Sequence, residues 1–195
     1  MTSFRPQDSP TAPEPVRPPA HVGESLSADE FKTLFRGHPG GVAIITADGP
    51  DGPVALTATS VSSISADPPL LVFSLSSLSS ATAAIVAAST IVVHLLDAED
   101  LELARLAATS GADRFADAAL WTRLVTGEPV YHGARAWVRC AVVNRMSAGD
   151  STVVVAHALQ SSIQRDIEPP RRALAHRLNT PPRWRRQARP ARIDA

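Results

Sequence analysis

Two clusters of hydroxyl side chains stand out on otherwise apolar stretches of this 195-residue chain. The first is Thr57, Thr59, Ser60, Ser62, Ser63 and Ser65, and the second is Ser74, Ser76, Ser77, Ser79, Ser80 and Thr82. Hydroxyls at strand ends, joined by free backbone N–H groups at a helix start, suit a phosphate or a polar heterocycle. The serine loop runs into an alanine-rich helical turn at Ala81, whose dipole would stand behind an anion. Such hydroxyls also satisfy their own backbone in ordinary loops, so the residues alone leave both readings open.

Other chemistry is excluded by missing parts. GxGxxG, GxxxxGK[ST], HExxH and GxSxG are all absent, which removes the standard nucleotide and hydrolase motifs. The six histidines (His21, His38, His94, His132, His157 and His176) never fall at i, i+3 or i, i+4 spacing, so no metal site is expected. Cys140 is the only cysteine, and inside VRCAVV it reads as a small buried apolar residue.

The elements that must carry the hydroxyls follow from the pattern. Ser27-Ala28-Asp29-Glu30 is a capping box before Phe31, Leu34 and Phe35, which predicts a short amphipathic helix. Strands are expected at Val42–Thr46, at Val54–Ser65 as one long run ended by Asp67-Pro68-Pro69, at Leu70–Leu75 and at Thr90–Leu96. Between the last two lies a helical turn over Ala81–Ala88, and Asp97–Asp100 opens a helix that runs to Ala108. Residues 112–133 read as irregular. Ala134–Met146 and Ser151–Ile163 form a long antiparallel hairpin across a four-residue turn. Only short helices interrupt these strands, so the expectation is a mainly β fold: a small, partly split barrel of about six antiparallel strands, which would leave few exposed edges.

Composition divides the chain into three. Eleven of the 17 prolines lie in residues 1–20 or after residue 168, and residues 165–195 hold nine Arg against three acidic residues although the whole chain is formally neutral. Residues 1–24 read as a disordered Pro-rich leader, 25–165 as the folded domain, and 166–195 as an Arg/Pro-rich tail. Trp184 among Arg183, Arg185 and Arg186 could stack on a ring or clamp a phosphate. A proline-broken tail of this kind more often stays solvated, and nucleic acid is not expected as a partner. No apolar run approaches the ~20 residues that span a bilayer, and the N-terminus has no apolar core after its charges, so a cytoplasmic protein is expected.

The ordered series PGGVAIITADGPDGPVALTATSVSSISADPPLLVFSLSSLSSATAAI, TIVVHLLDAEDLELARL, DRFAD, GEPVYHGARAWVRCAVV and AGDSTVVVAHAL resembles the flavin reductase-like family over about residues 28–163. The resemblance implies a Greek-key FMN-binding split barrel, a homodimer, and an NAD(P)H:flavin oxidoreductase that passes a hydride from NADH or NADPH to FMN or FAD. It also implies a flavin-dependent monooxygenase as the partner receiving reduced flavin. It places Thr57, Ala58, Thr59 and Ser60 along the flavin, and Ser74, Ser77, Ser79, Ser80 and Thr82 around its ribityl chain and phosphate. Arg114 and Phe115 would lie near the flavin or the nicotinamide, with Asp150 and Ser151 on the nicotinamide side. Two residues depart from the family pattern. Ser151 stands where many relatives carry histidine, and His94 where many carry asparagine. Two other readings keep the flavin: an enzyme acting on a small organic substrate, and a non-catalytic flavin-binding dimer.

Overall fold

The structure is a computed structural model and describes residues 27–36 and 40–165, so the leader (1–24) and the tail (166–195) lie outside the described residues. The chain runs α1 (Ala28–Arg36), β1 (Ala43–Gly49), β2 (Gly52–Ala58), β3 (Ser62–Ala66), β4 (Pro69–Ser76), α2 (Thr82–Ala87) and β5 (Thr90–Leu95). A 3₁₀ turn (Ala98–Asp100), α3 (Leu101–Ala108), β6 (Trp121–Arg123), β7 (Pro129–Tyr131), β8 (Ala136–Ala148) and β9 (Ser151–Ile163) follow. The capping box before α1 is formed: Glu30 N–H donates to Ser27 Oγ at 3.3 Å, and Ser27 N–H donates to the Glu30 carboxylate at 2.9 Å.

Seven strands make one antiparallel sheet in the order β2-β1-β5-β8-β9-β4-β3, and β6 and β7 pair separately. The expected sheet of about six antiparallel strands is present, with one strand more because Val54–Ser65 is two strands instead of one. β2 ends at Ala58 and β3 starts at Ser62, and the two lie on opposite edges of the sheet. A flat seven-stranded sheet would hold those edges about 29 Å apart, while residues 59–61 can span only about 14 Å. The sheet therefore rolls back on itself. Ser60 continues the β3–β4 ladder beyond Ser62, its Oγ accepting from Ser74 N–H at 2.9 Å and donating to Ser74 C=O at 3.2 Å. The β8–β9 turn is also tighter than expected: Ala148 pairs with Ser151, and Gly149 takes a φ of 62° that favours glycine.

Inside the roll pack Ile45, Leu56, Phe73, Leu75, Ile85, Ile91, Val93, Cys140 and Val154. Burial there pushes the Cys140 thiol up to about 12, so it is an inert core group. A second cluster, Ile44, Ala55, Ala107 and Tyr131 with Phe115 and Trp121 against it, holds α3 and the β6–β7 pair onto the sheet. Polar ties fix that pair as well. Thr46 Oγ1 donates to Pro129 C=O at 2.6 Å, and Glu128 and Arg139 form a buried ion pair at 2.7 Å.

His94 belongs to this same support. Its Nε2 accepts from Tyr131 N–H at 3.0 Å, which makes Nδ1 the protonated nitrogen that donates to Ile44 C=O at 3.1 Å. Full burial lowers its pKa to about 4. The ring is a neutral core group joining three strands.

Candidate functional site

The outer part of β2 faces two adjoining cavities. One, of about 260 Å³, is lined by Leu56, Thr57, Ser74, Leu75, Ser76, Ser79, Ala107, Ala108 and Arg114. The other, of about 170 Å³, is lined by Pro53, Val54, Ala55, Ser80, Ala81, Ala112, Asp113, Arg114 and Phe115. Arg114 is the one residue common to both. The structure thus gathers Thr57, Ser74, Ser79, Ser80, Arg114 and Phe115, from β2, β4, the loop before α2 and the segment after α3, around a single groove.

Each wall has a local cause. Thr57 Oγ1 donates to Ala104 C=O at 3.4 Å, which draws α3 against β2. The serine loop is folded by its own donors: Thr82 Oγ1 to Ser76 C=O at 2.7 Å, Ser79 N–H to Ser76 C=O at 3.3 Å and Thr82 N–H to Ser79 C=O at 3.1 Å. The two N–H groups between them, those of Ser80 and Ala81, make no hydrogen bond among the described residues. Ala81, the residue preceding α2, supplies no side-chain cap. These donors stand at the smaller cavity beside Arg114.

Arg114 is held by the end of the neighbouring helix. Its Nε donates to Ala107 C=O at 2.9 Å and its Nη2 to Thr109 C=O at 3.0 Å, so it caps carbonyls that α3 leaves open. This uses two of its five N–H donors and leaves a cation at the junction of the cavities. Phe115 is also a core anchor. It stacks on Tyr131 with ring centroids 5.4 Å apart and meets Trp121 edge-on at 4.9 Å.

The remaining expected residues stand elsewhere. Ala58 is buried in the core, Thr59 is exposed on the link between β2 and β3, and Ser60 makes the edge bridge. Thr82 is buried, with its hydroxyl spent inside the loop. Ser77 is exposed, and its N–H donates to Asp150 C=O at 2.9 Å, so the β8–β9 turn is tied to the serine loop. Ser151 pairs with Ser76 across the β4–β9 ladder, and its Oγ is 3.3 Å from Asp150 Oδ1. Neither Asp150 nor Ser151 lines the two cavities.

Sequence reasoning missed Ala107, Ala108 and Ala112, whose only signal is the absence of bulk at the end of a helix. It also missed Tyr131 and Trp121, which carry no motif. As a donor set the groove fits a flavin mononucleotide. Hydroxyls, free amides and one guanidinium suit the phosphate and the polyol, while Leu56, Leu75 and Ala107 give apolar surface for a ring. Among the described residues no cluster of His, Cys, Asp and Glu could hold a metal, and no helix is long and apolar enough to cross a membrane.

Comparison with known proteins assigns the family. Residues 35–178 match the flavin reductase-like domain, and the chain belongs to that family. It is 39% identical over 160 residues to an NADH:FMN oxidoreductase of Rhodococcus qingshengii, covering 82% of this chain and 83% of that one. Among solved structures it is similar to a flavin reductase domain protein from Arthrobacter sp. FB24, at 33% identity and a TM-score of 0.67 over 71% of this chain and 86% of the other. It is also similar to the flavin reductase component of a bacterial two-component tryptophan halogenase, at 27% identity and a TM-score of 0.64 over 72% of this chain and 89% of that one.

Proposed function

We propose that this chain is an NADH:FMN oxidoreductase whose FMN sits in the groove between β2, the serine loop and Arg114. The observation that carries the proposal is the convergence of five hydroxyl residues and two open amides around one guanidinium, beside apolar walls. When bound, FMN supplies the redox chemistry by accepting a hydride from the nicotinamide. The residues here bind and orient. Arg114, Ser79 and Ser80 offer donors to the phosphate, Ser74 a donor and Thr57 an acceptor to the polyol or the ring edge, and Leu56 and Leu75 exclude water from one side. No side chain has to act as a nucleophile, which fits a chain without a catalytic triad.

The nicotinamide approaches from the side of Asp150 and Ser151, where the β8–β9 turn is tied to the serine loop. Reduced flavin then passes to a partner oxygenase, as the halogenase relative's role as a reductase component supports. The rolled sheet, with its edges linked by residues 59–61, supports the split-barrel reading of residues 25–165. The exposed Val143, Met146 and Leu159 on β8 and β9 support a homodimer. The reaction is placed in the cytoplasm, where NADH is regenerated.

Anaerobic mixing of the purified chain with FMN and NADH tests this reading. Loss of NADH absorbance together with bleaching of the flavin is the expected result, with FMN binding in the low-micromolar range, roughly −8 kcal/mol. A chain that leaves FMN oxidised with both NADH and NADPH is not a reductase.

A further inference from the structure

The tripeptide Asp113-Arg114-Phe115 lies outside every helix and strand, yet both side-chain and backbone groups tie it to the protein. Asp113 Oδ1 accepts from Phe115 N–H at 3.0 Å, and the Arg114 side chain caps α3. Two of its three carbonyls are taken by aromatic donors from the β6–β7 pair. The Tyr131 hydroxyl donates to Arg114 C=O at 2.9 Å, and Trp121 Nε1 donates to Phe115 C=O at 3.0 Å. Tyr131 is in turn set from both sides: His94 accepts its backbone N–H, and its ring stacks on Phe115. Burial raises the phenol above its ordinary range, so it remains a donor wherever the protein is folded.

We propose that Tyr131 and Trp121 are positioning residues for the flavin groove: by holding the carbonyls of Arg114 and Phe115 they fix the guanidinium at the junction of the two cavities. The inference rests on the groove being the flavin site. A guanidinium on an untied loop would sample many positions, and ordering it would be charged against every binding event. Here the β6–β7 pair supplies that order in advance. This gives the two-stranded unit, which contributes no residue to either cavity, a role in binding.

The test titrates the full chain with FMN, following flavin fluorescence, in wild type, Tyr131→Phe, Trp121→Phe, Arg114→Ala and the double variant Arg114→Ala/Tyr131→Phe. Each aromatic substitution keeps a ring and removes one hydrogen bond, so the expected rise in Kd is about 3- to 10-fold. Arg114→Ala should raise Kd by at least about 10-fold. The double variant should bind no more weakly than Arg114→Ala within about 2-fold, because a support has no effect once the supported group is gone. In turnover the aromatic variants should raise the KM for FMN and leave kcat unchanged, a split that general loosening of the fold would not give. If Arg114→Ala weakens FMN while Tyr131→Phe and Trp121→Phe both bind as wild type, the positioning role is wrong and the groove reading survives. If Tyr131→Phe does not fold, Trp121→Phe decides by the same criterion. If Arg114→Ala itself binds FMN as wild type does, the groove reading falls and the positioning role falls with it.

Discussion

His94 is a fully buried ring that joins β1, β5 and β7. Its two nitrogens are committed to Ile44 and Tyr131, and a second proton would set N–H against N–H at Tyr131. Its pKa is about 4 in the folded state against about 6.5 unfolded, so between those values the unfolded chain takes up the proton and the folded chain does not. Stability from this group is complete above about pH 6.5 and is lost as the pH falls toward 4, by about 3 kcal/mol in all. Urea unfolding across this range should show the slope, and His94→Asn, which does not titrate, should lack this part of it. Ser151 gives a prediction on function at the same scale. It sits beside the turn bound to the serine loop, in the position where the resemblance implies histidine in many relatives. Ser151→His should therefore lower the KM for NADH more than it changes FMN affinity. An unchanged KM would move the nicotinamide away from this turn.

At the scale of elements, α2 shows why some of the site was legible in the sequence and some was not. The run Ser76 to Ala88 announces a hydroxyl loop and a small-residue helix, and both are present. Nothing local announces what ends the helix. Arg145, on β8, donates from Nη2 to Ala88 C=O at 2.7 Å and from Nε to Val86 C=O, across 57 and 59 positions of sequence. Arg114 does the same for α3. Two short helices, of six and eight residues, thus have their last carbonyls taken by an arginine, from across the sheet for α2 and from six residues past the helix end for α3. Arg145→Ala should cost about 1–3 kcal/mol in denaturant unfolding, because it leaves two carbonyls unpaired. It should also weaken FMN, since the loop that α2 anchors loses its support. The division of Val54–Ser65 was hidden for a related reason. Thr59 and Ser60 continue a β-compatible pattern, and only the passage of the chain from one edge of the sheet to the other, β2 to β3, makes them a corner. By contrast, the β8–β9 hairpin, β1, β5 and the capping box were legible because their signals are local: apolar runs, a glycine at a turn, a serine three before a glutamate.

For the whole molecule, the exposed apolar side chains on β8 and β9 bear on association. Val143, Met146, Leu159 and Ile163 are all solvent-facing in the single chain. Light scattering at micromolar concentration should give a mass near twice 20.6 kDa. Replacing Val143 and Leu159 together by lysine should shift that mass toward one chain. A wild type that stays single at these concentrations with full FMN affinity would show that one copy completes the site.

The order of strands has a kinetic consequence. β8 and β9, thirteen residues each, pair across a two-residue turn, and the same hairpin takes β5 on one side and β4 on the other. Every other pairing in the middle of the sheet joins distant parts of the chain and must wait for a costly loop closure, whereas this one can form first and serve as the template. The Ser60–Ser74 bridge extends the β3–β4 hairpin at the edge of the sheet, away from this template. Substitutions inside the hairpin, such as Val154→Ala, should therefore slow folding and leave the unfolding rate nearly unchanged. Ser60→Ala should leave the folding rate alone and speed unfolding. Stopped-flow chevrons of the two variants would distinguish these outcomes, and a hairpin substitution that acts only on unfolding would mean the sheet is nucleated elsewhere.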